Sequence, residues 1–346
     1  AVARHGRLVT QETIGAPDGS RYVVFSATKA VMAGAVWLLF GDGLLAPADR
    51  VGDHLPEFGS NGKETITVDH LLLHEAGIPH APLGPPEWAA RATRRARFAD
   101  WRLNWEPGTR VEYHATSAHW VLAELIEAVT GLDHRRFVGE RLLDPLGLER
   151  LRLGVPVEHQ ADIVDAVPVG SPPSPEELEA ATGISGIDLG GMGPAEIGEA
   201  SLLRFNEPAV RALGVPGAGA VSDAADMALF LQAMLHDPGD LWDPEVLADG
   251  TGVVRSVLED TMLGIPANRS RGLLIAGDDG NALRRGMGKT TSPRAFGHHG
   301  AGGQIAWADP VSGLSFCFLT NGLDADPLAE GRRRAALSNR AGALVD

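Results

Sequence analysis

The chain has one cysteine, three lysines (Lys29, Lys63, Lys289) and two tyrosines among 346 residues. A lone Cys317 excludes an internal disulfide, and its place in the apolar run 314–319 reads as a small buried hydrophobe without a redox or thiolate-metal role. Basic charge is scarce: the formal net charge is −15, and the one basic cluster (Arg91, Arg94, Arg95, Arg97) is short. Phosphate neutralisation needs clustered Lys and Arg, so a nucleic-acid surface is excluded and the cluster reads as a solvated helix face. No uninterrupted apolar run reaches the roughly 18 residues that a membrane span requires, and residues 1–11 carry no signal-peptide pattern. A cytoplasmic location is the expectation. No Gly-x-Ser-x-Gly elbow occurs, which removes the sequence signature of a Ser-His-Asp hydrolase. Against these absences stand 44% hydrophobic residues, ample for a sizeable core in one large domain or two medium ones.

The most informative residues present are Ser26-Ala27-Thr28-Lys29, because they open a nearly all-apolar helical stretch at 27–40. A serine and a lysine three apart at a helix start share one face. Burial and the positive end of the helix dipole both push a lysine toward its neutral form, which leaves an amine able to activate the Ser26 hydroxyl. The plain alternative is a core helix capped by Ser26, with Lys29 reaching out to solvent.

The first residues, 2–9, read as two short strands turning at His5-Gly6, and 22–25 runs extended into the Ser26 helix. Between 66 and 129 the apolar spacing is helical, with Thr67 or Asp69 as N-cap. A Pro- and Trp-rich excursion at 79–108 carries Trp88, Trp101 and Trp105, and 168–219 is rich in Pro and Gly. Both read as lids over a site, with Trp88 and Trp105 as substrate contacts. A helix returns at 224–235, strands follow at 296–301, 304–309 and 314–321, and a last helix spans about 331–344. Strands at both ends with helices between them imply one antiparallel sheet that joins the two ends, with a helical region inserted. The expected division is a sheet part, 1–25 with 216–346, and a mainly helical part, 26–215.

Serine catalysis also needs an oxyanion site and a proton donor. Tyr113 precedes an amphipathic helix, where its phenol can share a proton with Lys29 and Ser26. The run 297–303, with His298, His299 and Gly300, is a glycine-rich strand edge whose N–H groups suit an oxyanion. Ser26-x-x-Lys29, Tyr113-His114-Ala115 and His298-His299-Gly300 together resemble the serine β-lactamase and penicillin-binding-protein superfamily, in its class C-like branch with the family VIII carboxylesterases. Residues 70–77, 216–228 and 302–310 resemble further segments of the same branch.

That resemblance implies a β-lactamase/transpeptidase-like fold of α/β plus all-α class, with an antiparallel sheet flanked by helices. It implies Ser26 as acylated nucleophile, Lys29 as its activator, and Tyr113 as proton acceptor in acylation and donor to the leaving group. The oxyanion hole would be the Ser26 and Ala301 N–H groups, and no cofactor or metal is called for. Two departures bear on substrate. Ala115 stands where an asparagine would touch an antibiotic's amide, and His298 replaces the lysine that would hold its carboxylate, offering a weaker, pH-dependent charge. A carboxylesterase acting on a small or medium ester is therefore expected, with His298, His299, Gly300, Ala115, Trp88 and Trp105 contacting substrate. Acyltransferase, amidase, D-amino-acid peptidase and β-lactamase activities use the same groups, and a catalytically silent binding protein is the alternative from another class. His70 and His74, four apart, are a zinc-pair alternative whose plainer reading is hydrogen bonding to backbone.

Overall fold

The computed structural model describes residues 1–182 and 198–345. Turn chemistry sets the first pairing: His5 and Gly6 lie at φ 51° and 74°, as a two-residue hairpin turn demands. They fold the strand Arg7–Thr10 back on Val2–Arg4. Val2 lies opposite Phe316 in the strand Leu314–Phe318, so the two ends of the chain share one sheet, as the sequence implies. That sheet continues antiparallel through Ile305–Asp309 and Phe296–His299 to Leu274–Ile275.

Alternation along the strands gives the sheet two buried faces. Ala306, Ala308 and Cys317 join the main core, whereas Ile305, Trp307 and Phe316 form a second cluster with Met287 and Ala341. The helix Ala224–His236 covers the first face, where Ser315 Oγ donates to Ala228 O at 2.8 Å. The helix Pro327–Gly342 covers the second, where Trp307 Nε1 donates to Ser338 Oγ at 3.2 Å. Behind the first face runs the helix Thr28–Gly41. Twelve of its fourteen residues are buried, so it is a central core helix, with no face left for solvent.

Several expected elements differ. Of the two helical segments expected between 66 and 129, the second is the helix Ser117–Thr130, but the first is only Val68–Leu72, capped by Thr67 and His70, and His74 at φ 62° closes off any continuation. The last helix begins at Pro327, earlier than expected, because the Asp326 side chain caps the Leu328 N–H at 2.8 Å. The 79–108 excursion is packed: it contains the helix Arg91–Asp100, and Trp101 Nε1 donates to Pro82 O. The basic cluster on that helix is not simply a solvated face. Arg94 is 5% exposed and meets Glu124 at 2.6 Å and Glu127 at 3.3 Å, and Arg91 and Arg95 also reach Glu124. Two buried carboxylates on the helix Ser117–Thr130 draw these guanidinium groups inward. In 168–219, the helices Pro175–Thr182, Glu199–Leu203 and Pro208–Leu213 are present, and the part of the expected lid at 183–197 lies outside the described residues. No helix among the described residues is long and apolar enough to cross a membrane.

Candidate active site

The strand Tyr22–Val23 pairs with Ala220–Ser222, and the Val24 N–H donates to Ala220 O at 2.9 Å. Phe25 then turns to φ 45°, an uncommon conformation for a bulky residue and one that concentrates at functional sites. Its ring is held edge-on against Phe205, with centroids 5.5 Å apart. Ser26 follows in a 3-10 turn at Phe25–Ala27, one turn before the main helix, and its side chain is partly exposed at the foot of a cleft. The capping alternative for Ser26 is not realised, because the helix that begins at Thr28 receives no side-chain cap.

Lys29 is fully buried. Its Nζ donates to Ala115 O and Gly217 O, both at 2.8 Å, and lies 3.4 Å from Ser26 Oγ. Burial, with a smaller contribution from the Arg269 charge, lowers its pKa well below the ordinary lysine value. Gly217 keeps this nest open: a Cβ there would lie 2.9 Å from Ala115 O and 3.4 Å from Lys29 Nζ.

Tyr113 is 3% exposed, and Lys29 Nζ lies 4.9 Å from its ring centre. Its hydroxyl has no hydrogen-bond partner within normal distance among the described residues. Burial pushes its pKa up to about 12, against smaller lowering by the facing Ser26 hydroxyl and by Arg269. The loop around it is pinned from behind. His114 Nδ1 meets Glu112 O at 2.7 Å and its Nε2 accepts the Ile78 N–H at 3.0 Å, and the His114 N–H donates to His74 Nδ1 at 3.0 Å. Burial lowers the His114 pKa to about 3, so it is a neutral strut. Ser117 Oγ donates to Ile78 O, so His114 and Ser117 form no nucleophile–base pair. His70 Nδ1 accepts the Thr67 N–H, and with His74 engaged by His114 both members of the candidate zinc pair are held by backbone.

Opposite Ser26 runs the strand edge. The Gly300 N–H donates to Gln304 O at 2.8 Å, and Gln304 Nε2 donates to Val23 O at 3.0 Å and Ala301 O at 3.3 Å. One side chain thereby ties this edge to the strand that leads to Ser26. Ala301 opens a 3-10 turn, a position whose N–H has no acceptor within the turn. Gly300 is required sterically, because a Cβ would sit 2.4 Å from Val24 O.

Ser26, Tyr113, His299, Gly300 and Ala301 line a cleft of about 530 Å³, together with Met262, Leu263, Leu323 and Arg334. The other expected contacts lie elsewhere. His298 is 1% exposed, its Nδ1 turned to His299 O at 2.7 Å, and burial, then His299, lowers its pKa well below the ordinary value. It therefore offers no charge to a ligand in the cleft. Ala115 contributes its carbonyl to Lys29 and does not line the cleft. Trp88 packs on Trp120 and under the Arg204 guanidinium, and Trp105 stands edge-on to His114; both serve packing behind the site. Met262, Leu263 and Arg269 were not singled out from sequence, since they belong to no motif. Among the described residues, Glu127, Asp133 and His134 form one group of metal-ligand type. They are mutually satisfied, with His134 Nδ1 2.7 Å from Glu127 and Asp133 paired to Arg135.

A protein-family model described as Beta-lactamase matches residues 1–340. The chain is 28% identical over 329 residues to Esterase/beta-lactamase LipL of Mycobacterium tuberculosis, spanning 87% of this chain and 69% of that one. Among solved structures, a family VIII carboxylesterase superposes with a TM-score of 0.71 at 25% identity, covering 92% of this chain and 84% of the other. A penicillin-binding protein homolog from Caulobacter crescentus gives 0.74 at 25% identity, covering 97% and 91%. By class, the protein is a serine hydrolase with a β-lactamase/transpeptidase-like fold. It belongs to the beta-lactamase family.

Proposed function

We propose that the protein is a carboxylesterase that hydrolyses small or medium esters through an acyl-Ser26 intermediate. The observation that carries this reading is the hydrogen bonding of Lys29. A neutral amine has two hydrogens and one lone pair. With Lys29 in the neutral form that its burial favours, the two carbonyls at 2.8 Å take the hydrogens, and the lone pair is left for the proton of the Ser26 hydroxyl, whose Oγ is 3.4 Å away.

In this mechanism Lys29 Nζ takes the Ser26 proton as Oγ attacks the ester carbonyl, and the oxyanion is met by the Ser26 and Ala301 N–H groups. Tyr113, protonated at rest because its pKa is raised, gives its proton to the departing alkoxide. The Lys29 ammonium, 4.9 Å from the ring centre, steadies the phenolate. Water then attacks the acyl carbon and returns a proton to Tyr113, while Ser26 Oγ leaves with the proton held on Lys29. The acceptor role expected of Tyr113 in acylation thus falls to Lys29. A buried His298 held toward its neutral form and the methyl of Ala115 give no anchor for a β-lactam's carboxylate or amide, which favours esters, as does the likeness to a family VIII carboxylesterase.

Rates with p-nitrophenyl butyrate and a chromogenic cephalosporin, for wild type and Ser26→Ala, test the reading. Ester turnover that Ser26→Ala abolishes, with little cephalosporin cleavage, is the expected result; cephalosporin as the better substrate would reverse the assignment. Adding an acceptor alcohol separates hydrolysis from acyl transfer, because a new ester outpacing the free acid identifies a transferase.

A further inference from the structure

Arg269 belongs to none of the sequence motifs, yet it lies against the centre of the site. It is 1% exposed, and its Cζ is 5.9 Å from the Tyr113 ring centre. Its one carboxylate partner, Asp260, is fully buried and stands 3.4 Å from Nη2. That carboxylate is shared, since its other oxygen accepts the Met262 and Leu263 N–H groups. Nε and Nη1 of Arg269 meet no acceptor among the described residues. Leaving donors of a buried cation without acceptors is costly, and a plain strut between Asp260 and the 269 segment would not need it. The backbone there is already fixed: the Arg269 N–H donates to Ser256 O, and Arg269 O accepts from Arg255 and Ser256.

We propose that Arg269 is a positioning residue whose guanidinium, held against the Tyr113 ring, supplies a fixed positive charge behind the site, steadying negative charge on Tyr113 and disfavouring a second cation at Lys29. This rests on Lys29 being the base, as argued above. Arg269 meets Asp260 and lies over the Tyr113 ring, and its charge also acts on Lys29 on the central helix, on His114 on the loop before Ser117, on His119 on the helix that follows, on His74, and on the strand pair His298 and His299. Burial lowers the pKa of each of these histidines, so they carry little charge at neutral pH. An arginine side chain, by contrast, stays charged across the working range. A cation beside a lysine disfavours its ammonium form, and the same cation favours a phenolate.

The composition allows a direct test. With three lysines in the chain, lysine labelled with carbon-13 at Cε gives three NMR signals, and Lys29 can be titrated without any substrate. In the wild type Lys29 titrates below the ordinary lysine value. Arg269→Gln moves that midpoint upward, Arg269→Lys brings it back, and Asp260→Asn, which keeps the cation, does not raise it. With p-nitrophenyl butyrate, the acid limb of kcat/KM in Arg269→Gln moves to higher pH, so that activity lost on the acid side is regained at alkaline pH. If Gln at this position prevents folding, the double variant Asp260→Asn, Arg269→Met removes both buried charges and gives the same readout. An unchanged Lys29 midpoint in a folded Arg269→Gln protein overturns the proposal alone. A wild-type Lys29 that titrates at the ordinary value overturns the mechanism beneath it.

Discussion

Lys29 and Tyr113 are pushed apart by one environment. Burial favours the uncharged form of each, so the lysine becomes a free amine and the tyrosine keeps its proton. The pair is thereby poised as base and acid at the same pH. Because the Lys29 pKa is lowered, kcat/KM for an ester falls as pH drops through that lowered value and holds above it, until Tyr113 begins to ionise near 12. A pH–rate profile checks this; an acid limb at the ordinary lysine value contradicts it. Tyr113→Phe, which removes the proton donor and keeps the ring, costs about 10²-fold in kcat/KM, which reports acylation, with an ester of a poor leaving group. The loss is smaller for p-nitrophenyl esters, whose leaving group needs no proton, and comparing the two separates the donor role from packing.

At the scale of elements, the strand edge and the helix that carries the basic cluster give two further expectations. Gly300→Ala places a Cβ 2.4 Å from Val24 O. The edge must then move away from Ser26, and with it the Ala301 N–H. The expected cost is about 10²-fold in kcat, the worth of one oxyanion donor, in a protein whose circular dichroism is unchanged. Arg94→Ala leaves Glu124 and Glu127 buried with less compensation, although Arg91 and Arg95 still reach Glu124. Urea unfolding is expected to report a loss near 3 kcal/mol, the low end for breaking a buried pair.

Much at this scale was legible in the sequence. The hairpin at His5-Gly6 and the closing strands follow from turn residues and a period of two, and the central helix from its long, nearly unbroken apolar stretch. Ser26, Lys29 and Tyr113 were legible because each sits at the start of, or just before, a patterned helix. What could not be read depends on distant partners. The inward turn of Arg94 depends on carboxylates some thirty residues away, and Arg269 reaches Tyr113 from a segment without pattern. Trp88 and Trp105, which suggested substrate contact, pack behind the site, because a large aromatic in an irregular segment is as able to anchor it as to line a cleft.

Across the whole molecule, two faces of one sheet are buried, and the cleft lies where the end of the strand Phe296–His299 meets the start of the central helix. The region around the cleft holds four buried histidines, His74, His114, His119 and His298, and the half-buried His299, each with a lowered pKa and with desolvation as the largest cause. A group whose folded pKa lies below its unfolded value takes up protons more readily when unfolded. Its contribution to stability is therefore complete above about 6.5 and is lost as pH falls toward the folded values, about 3 for His114 and His299. Thermal melts at pH 7.5 and pH 5.5 test this: the melting temperature is expected to be lower at pH 5.5, and equal values would mean that these side chains are not buried in the neutral form.

The central claim is that an ester's acyl group passes through Ser26. Intact mass spectrometry during turnover of p-nitrophenyl butyrate, followed by peptide mapping, tests it most directly. The account predicts a butyryl increment on the peptide that carries Ser26, absent from Ser26→Ala. Steady turnover with the increment on another residue, or undiminished turnover by Ser26→Ala, would contradict it.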